Sequence, residues 1–328
     1  MRSEQKSSRK NPELGRRRPA LQAVVLLVLA AFALAFSGCE LFPSSASSFD
    51  GKKYAVIVGI NDYDKVNDLS YCVADALSMQ QMLEDAEWTV ILLTDESDGA
   101  TNKNATKAKI KEALAAVPPD TATFLFYYSG HGSIGSPEEA YIVPSDVNNS
   151  SSTSAFYSSL ISSSEFSDWL DSVTATNKLV ILDSCYSGGF VDPGDSVDSI
   201  TDSSISTSSA LDMFFRFGEL LAQNAAAASS DPSTAPLVIS AAGWAEGSLE
   251  DYPPGHPSHQ GIDHGYFTFY FLQSAETNWL GTMKGDSDGD DVLSCIEAYS
   301  YAKTKLTGED FIPHISGGLR DFALIDNR

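Results

Sequence analysis

Five short runs of almost unbroken apolar residues constrain this chain most: Lys53 to Ile60, Trp88 to Leu93, Thr123 to Ser129, Lys178 to Leu182 and Pro236 to Ala242. Strands that are apolar on both faces belong to parallel sheets covered by helices on both sides. Segments with helical spacing stand between them. Ser70 to Ala86 puts Ala74, Leu77, Met82 and Leu83 on one side, and Thr101 to Val117 repeats Thr106, Ile110, Leu114 and Val117 before Pro118-Pro119 stops it. Glu165 to Val173, Gly265 to Trp279 and Ser294 to Thr304 read as further helices. Tyr141 to Pro144 reads as a short extended piece and Asp321 to Ile325 as a closing strand. Strands alternating with helices predict an α/β fold with a parallel sheet and right-handed crossovers.

Chemistry-bearing residues fall where such a fold builds its sites, at the carboxyl ends of strands. The strand Lys178 to Leu182 runs into Asp183-Ser184-Cys185-Tyr186-Ser187-Gly188-Gly189. A thiol followed by glycines, whose backbone N–H groups can face a ligand, suits a nucleophile with an oxyanion site. The strand Thr123 to Ser129 runs into Gly130-His131-Gly132. A cysteine nucleophile needs a base that is near in space rather than in sequence. Two parallel strands, each ending in one partner, meet that need. Asp183 lies two residues before Cys185, so in a strand the carboxylate shares the face of the sulfur. A carboxylate there selects a Lys or Arg side chain by charge and hydrogen bonds.

Tyr128-Ser129-Gly130-His131-Gly132 and Asp183 to Gly189, in this order and about fifty residues apart, resemble the His and Cys motifs of caspase-like cysteine peptidases of family C14, in particular metacaspases and their bacterial relatives. The resemblance spans about Lys53 to Asp326. It implies an α/β/α sandwich around a mostly parallel six-stranded sheet. It also implies a Cys185–His131 dyad acting through an acyl-enzyme, with the N–H groups of Gly132 and Cys185 as oxyanion donors. Tyr71-Cys72-Val73-Ala74-Asp75-Ala76 resembles a pocket-lining segment of metacaspases, and Ser129 matches the pocket serine. Cys72, Asp75, Ser129 and Asp183 together imply cleavage after Arg or Lys. Tyr186 stands where metacaspases usually carry His.

The first 38 residues read as an export signal: a basic stretch with Arg16-Arg17-Arg18, the apolar run Ala20 to Phe36, then Ser37-Gly38-Cys39. The small residues before Cys39 resemble a bacterial lipobox, which implies lipid on Cys39 and a membrane-tethered domain in the cell envelope. An uncleaved membrane anchor is the other reading. Residues 39–52 form a Ser-rich tether, and 53–326 the peptidase domain. Val191 to Ala235, rich in Ser, Asp and Ala, interrupts that domain with a low-complexity insertion whose residues 211–228 read as helical. In the resembled family this is where the processing loop lies. Arg216, the only basic residue between Lys178 and Lys284, is the candidate self-processing site. A net charge of −23 argues against nucleic acid as a partner. A monomer acting on a protein or peptide substrate is expected. The four cysteines show no paired or zinc spacing, so no disulfide framework is expected.

No cofactor is required by this chemistry, but calcium has two candidate sites. Glu138, Glu139 and Asp146 resemble an acidic stretch that binds activating calcium in some metacaspases. Asp286 to Glu297 matches an EF-hand loop at Asp286, Asp288, Asp290 and Glu297, with Asp291 at the position of the turn glycine. It reads either as a calcium-capable turn or as an acidic helix start. His256, His259 and His264, among prolines and glycines, are expected in a polar loop over the cleft. Two other functions stay open: a non-catalytic binding lipoprotein of the same fold, and a thiol amidase acting on cell-wall peptides.

Overall fold

The computed structural model describes residues 51–63, 66–95, 104–135, 139–148, 152–186, 235–241, 250–251, 254–257, 259–309, 312–317 and 320–328; at 134–135, 139, 185–186 and 316–317 it describes the backbone only. Cys39, Glu138, Arg216 and most of the 191–235 insertion, including the helix expected at 211–228, lie outside the described residues.

The chain runs β1 (Lys52–Gly59), α1 (Cys72–Asp85), β2 (Thr89–Thr94), α2 (Lys107–Ala115), β3 (Thr121–Gly135), β4 (Glu139–Ile142), α3 (Thr153–Ser159), β5 (Ile161–Ser162), α4 (Ser163–Asp171), β6 (Asn177–Tyr186), β7 (Leu237–Ser240), α5 (Tyr266–Ala275), β8 (Val292–Ser294), α6 (Cys295–Lys305), β9 (His314–Gly317) and β10 (Ala323–Asp326). The central sheet has the order β2-β1-β3-β6-β7-β9. Its first four pairings are parallel and the last, β7 with β9, is antiparallel.

Alternation along the strands splits the core between the two faces. Val56, Val58, Phe124, Phe126, Tyr128, Val180 and Leu182 pack with Ile110 and Leu114 of α2, Phe156 of α3, and Phe166 and Leu170 of α4. Their neighbours Ala55, Ile57, Leu125, Tyr127, Leu179 and Ile181 pack with Ala76 and Met79 of α1, Phe267 and Phe271 of α5, and Ala298 and Ala302 of α6. This is the expected sandwich: a mostly parallel sheet between two helical layers. Each fully buried Phe contributes on the order of 3–5 kcal/mol, judged by what truncation to Ala typically costs.

Several boundaries differ from the sequence reading, each for a local reason. β3 does not stop before Gly130 but continues through His131 to Gly135, because β4 pairs antiparallel with it from Gly132 onward. α2 starts at Lys107 rather than at 101. Thr106 is its N-cap and accepts from Lys109 N, while Asp146 accepts from Lys107 N at 3.0 Å. α5 ends at Ala275, four residues short of Trp279, where the chain turns into a bridge between Thr277 and Met283. The closing strand at the C-terminus does not join the central sheet. β10 pairs with β8 in a separate two-stranded sheet, tied to the main body where Trp88 Nε1 donates to Leu324 O at 2.9 Å. The central sheet is edged instead by β9, whose short sequence His314-Ile-Ser-Gly317 carries no strand signal.

Candidate active site

The ladder between β3 and β6 sets the site. Ser129 pairs with Asp183, Gly130 with Ser184, and His131 with Cys185. Adjacent strands lie about 4.8 Å apart, so the base and the thiol-bearing residue sit at the same level on neighbouring strands. Gly132 continues the register, paired with Ile142 of β4 on one side and Tyr186 of β6 on the other.

Two tyrosines hold the His131 segment. The His131 backbone N–H donates to Tyr63 Oη at 2.8 Å, and the Tyr63 ring lies 4.8 Å from the imidazole, centroid to centroid. Tyr128 Oη donates to His131 O at 2.6 Å. Gly130 is required between them: a Cβ there would lie 2.6 Å from both phenolic oxygens. The imidazole is buried and its Nε2 lies 2.7 Å from Asn67 O. A carbonyl only accepts, so Nε2 carries the hydrogen and Nδ1 is left as the basic nitrogen. Burial pulls the His131 pKa below the ordinary imidazole value, while the Asn67 carbonyl and Asp68 oppose the shift. The ring is therefore neutral at pH 7, the form a base needs.

Polar groups from inside and outside the β1–α1 segment hold its described residues around Asn67. Asp95 accepts from the N–H groups of Asn61 and Asp62, and Asp68 accepts from Tyr63 N at 3.1 Å. The Asn61 side chain accepts from Val73 N in the first turn of α1 at 3.1 Å. Tyr71, the N-cap of α1, gives no side-chain cap. Glu250 does so from far along the chain, accepting from Ser70 N, Tyr71 N and Cys72 Sγ at 3.0, 3.1 and 3.2 Å. Burial raises the Glu250 pKa, against the pull of these donors.

Asp75, in the first turn of α1, and Asp183, at the end of β6, are both buried. Asp75 Oδ2 accepts from Ser129 Oγ at 2.9 Å, and its Oδ1 accepts from Gly265 N at 3.1 Å and lies 2.8 Å from His264 Nδ1. Asp183 Oδ2 accepts from Thr268 N and Thr268 Oγ1, capping the start of α5. The two carboxylates converge on Gly265: a Cβ there would lie 2.8 Å from Asp183 Oδ2 and 3.1 Å from Asp75 Oδ2. Gly265 has an ordinary φ of −61°, so the glycine provides space rather than an unusual backbone angle. Tyr127, 2.6 Å from Thr268 Oγ1, has its pKa pushed well above the phenol value by burial and then by Asp75 and Asp183.

The structure thus gathers Cys72, Asp75, Ser129 and Asp183 around the end of β3 and the starts of α1 and α5. Sequence reasoning did not single out Asn67 or Glu250, read Gly265 and Thr268 only as the start of a helix, and expected His264 in a polar loop over the cleft, where it meets Asp75. For Cys185 only the backbone is described.

Residues 52–279 match the family model described as the caspase domain, Peptidase_C14. The chain belongs to the caspase-domain family. It is similar to metacaspase-7 of Arabidopsis thaliana, 32% identical over 160 residues that cover 43% of this chain and 36% of that protein. It is also similar to metacaspase-9 of Arabidopsis thaliana, 31% identical over 163 residues covering 43% and 45%, and to metacaspase-1 of Schizosaccharomyces pombe, 32% identical over 101 residues covering 28% and 23%. The chain thus spans less than half the length of these relatives. The crystal structure of a protein from Geobacter sulfurreducens shares the fold, with a TM-score of 0.51 and 18% identity, over 84% of this chain and all of that one.

Asp146 is exposed and caps α2, and Glu139 opens β4. The Asp286 to Glu297 loop lies beyond the matched span. Asp286, Asp288 and Asp290 each offer a carboxylate oxygen, all within 4.8 Å of one another. Asp286 accepts from Gly289 N and Asp291 N. Asp291 takes a φ of +64°, the left-handed conformation a turn glycine supplies. Glu297 closes the loop onto α6, accepting from Ser294 N and Ser287 N. Of the three histidines, His259 pairs with the buried Asp251, which also accepts from Gln260 N and Ile262 N and so shapes the loop leading to His264.

Proposed function

We propose that this protein is a cysteine endopeptidase that hydrolyses peptide bonds on the carboxyl side of Arg or Lys. The observation carrying the proposal is the convergence of Asp75 and Asp183 on the space left by Gly265. Two buried carboxylates at one spot are costly unless a cation meets them, and a Lys or Arg side chain of a substrate is such a cation.

In this reading His131 Nδ1 takes the Cys185 proton and the thiolate attacks the scissile carbonyl. The N–H groups of Gly132 and Cys185 stabilise the oxyanion, each worth about 3–4 kcal/mol of barrier. His131 returns the proton to the leaving amine, and water then hydrolyses the thioester with His131 again as base. The Asn67 carbonyl fixes the tautomer throughout. The same proposal puts lipid on Cys39, the domain outside the cytoplasm and a processing cut after Arg216. Calcium at Asp286, Asp288 and Asp290 is proposed on the proximity of their carboxylates.

Hydrolysis of matched fluorogenic peptides ending in Arg, Lys or Asp, beside Cys185→Ala, tests the function. Cleavage after Arg or Lys that vanishes in the variant is expected. Cleavage only after Asp overturns the specificity. A folded protein that cleaves none of them is a binding lipoprotein, unless stem peptides containing a diamino acid are hydrolysed, which makes it a cell-wall amidase.

A further inference from the structure

Trp279 and Leu280 are 90% and 65% exposed, the two most exposed large apolar side chains among the described residues. They stand side by side at the tip of the turn that follows α5, and hydrogen bonds fix that turn. Thr277 bridges Met283, which is buried at its base. Asn278 N donates to Thr282 O at 2.8 Å, and the Asn278 side chain accepts from Leu280 N and Thr282 N and donates to Thr282 Oγ1. Gly281 closes the turn with a φ of +84°. Residues 277–283 carry no charge, and the flanking Glu276 and Lys284 pair with each other.

The turn lies at the end of the domain where the described chain begins. Asn327 Nδ2 donates to Met283 Sδ at 3.7 Å, and the preceding residue, Asp326, acts electrostatically on Lys53 of β1. α5 leads away from the pocket: its start meets Asp75 and Asp183, and its 10 residues set its other end about 15 Å further on. Cys39, to which the function proposed above assigns lipid, precedes Gly51 by 12 positions, a span of at most about 43 Å.

We propose that Trp279 and Leu280 seat in the surface of the bilayer that holds the N-terminal segment, so that the turn is a second membrane contact at the end of α5 opposite the pocket. The inference rests on the proposed membrane attachment. An indole is favoured at the boundary of hydrocarbon and headgroups, where its ring is in an apolar layer and its N–H stays wet. Tethering makes this contact intramolecular, so a weak one suffices. A protein partner fits the tip less well: two side chains offer far less than the roughly 800 Å² per partner of a stable interface. With a net charge of −23, the lipid surface that does not repel the domain is a zwitterionic one.

The test reconstitutes the full protein and Trp279→Ala in phosphatidylcholine vesicles, with and without brominated acyl chains, and compares their tryptophan emission. Bromination is expected to quench the share of one of the four tryptophans in the unsubstituted protein and to lose that quench in the variant. Both proteins should melt together, because the side chain removed is exposed. Equal quenching in the two proteins, or none in either while both float with the vesicles, overturns the inference and leaves the attachment standing. A Trp279-dependent cross-link between two copies without quenching also overturns it and assigns the turn to a second copy. Protein that does not float with the vesicles overturns the attachment and the inference together.

Discussion

His131 Nε2 lies 2.7 Å from the carbonyl oxygen of Asn67, and this contact assigns the proton on the imidazole. Nδ1 is the basic nitrogen, and burial keeps the ring neutral at neutral pH. The acid limb of kcat should therefore have its midpoint below the ordinary imidazole value, and His131→Ala should lower kcat by roughly 10²- to 10⁴-fold. A steady-state pH profile checks both.

The same group links pH to stability. Its folded pKa is depressed, so below the ordinary imidazole value the unfolded chain takes up more protons than the native one. Stability contributed by neutral His131 is present above that value and lost as pH falls through the folded pKa. Glu250 has the opposite sign: its pKa is raised, so its contribution is present below the ordinary carboxyl value and lost as pH rises through the folded one. Denaturant unfolding of His131→Gln should show a shallower loss between about pH 6.5 and pH 5, and that of Glu250→Gln a flatter curve above about pH 4.5.

Glu250 also caps the start of α1, where Tyr71 gives no side-chain cap. Glu250→Ala strips Ser70 N and Tyr71 N of their acceptor and should cost about 1–2 kcal/mol. Glu250→Gln keeps an acceptor oxygen and should cost less. The two denaturation midpoints decide this, and equal losses would remove the capping role.

A side chain at Gly265 would crowd the two carboxylates that face it. Gly265→Ala brings a methyl group within 2.8 Å of Asp183 Oδ2. Its φ of −61° is acceptable to alanine, so the cost is steric, about 1–3 kcal/mol. Cleavage of Arg peptides should fall more than roughly tenfold, mainly in KM. An unchanged KM would show that the substrate side chain does not enter there.

Asp288 carries like charges on both sides, and burial followed by Asp290, Glu297 and Asp286 raises its pKa. If calcium occupies the loop, added calcium raises the melting temperature, a chelator lowers it, and Asp286→Ala abolishes the response. No response in any of the three assigns the loop to the start of α6 alone.

Much of the fold was legible in local patterns. The runs around Val56, Phe126 and Val180 are apolar on both faces because both faces are covered. The two-residue alternation that sends Phe126 to one layer and Tyr127 to the other is a property of any strand. His131 and Cys185 each follow such a run, and parallel register brings them level. The edges were less legible. β9 was missed because four residues with Ser and Gly carry no strand signal, and β10 was read as closing the sheet because a short strand does not name its partner.

The sequence by itself determined the strands, their faces and the two strand ends that meet, since each depends on residues a few positions apart. The tertiary structure alone decided which atoms serve them. Asn67 reaches His131 across 64 residues, Glu250 reaches Cys72 across 178, and His264 reaches Asp75 across 189. No periodicity links such residues. They meet because the helices cover the sheet, and a buried donor or carboxylate takes whichever partner the packing brings within hydrogen-bond distance.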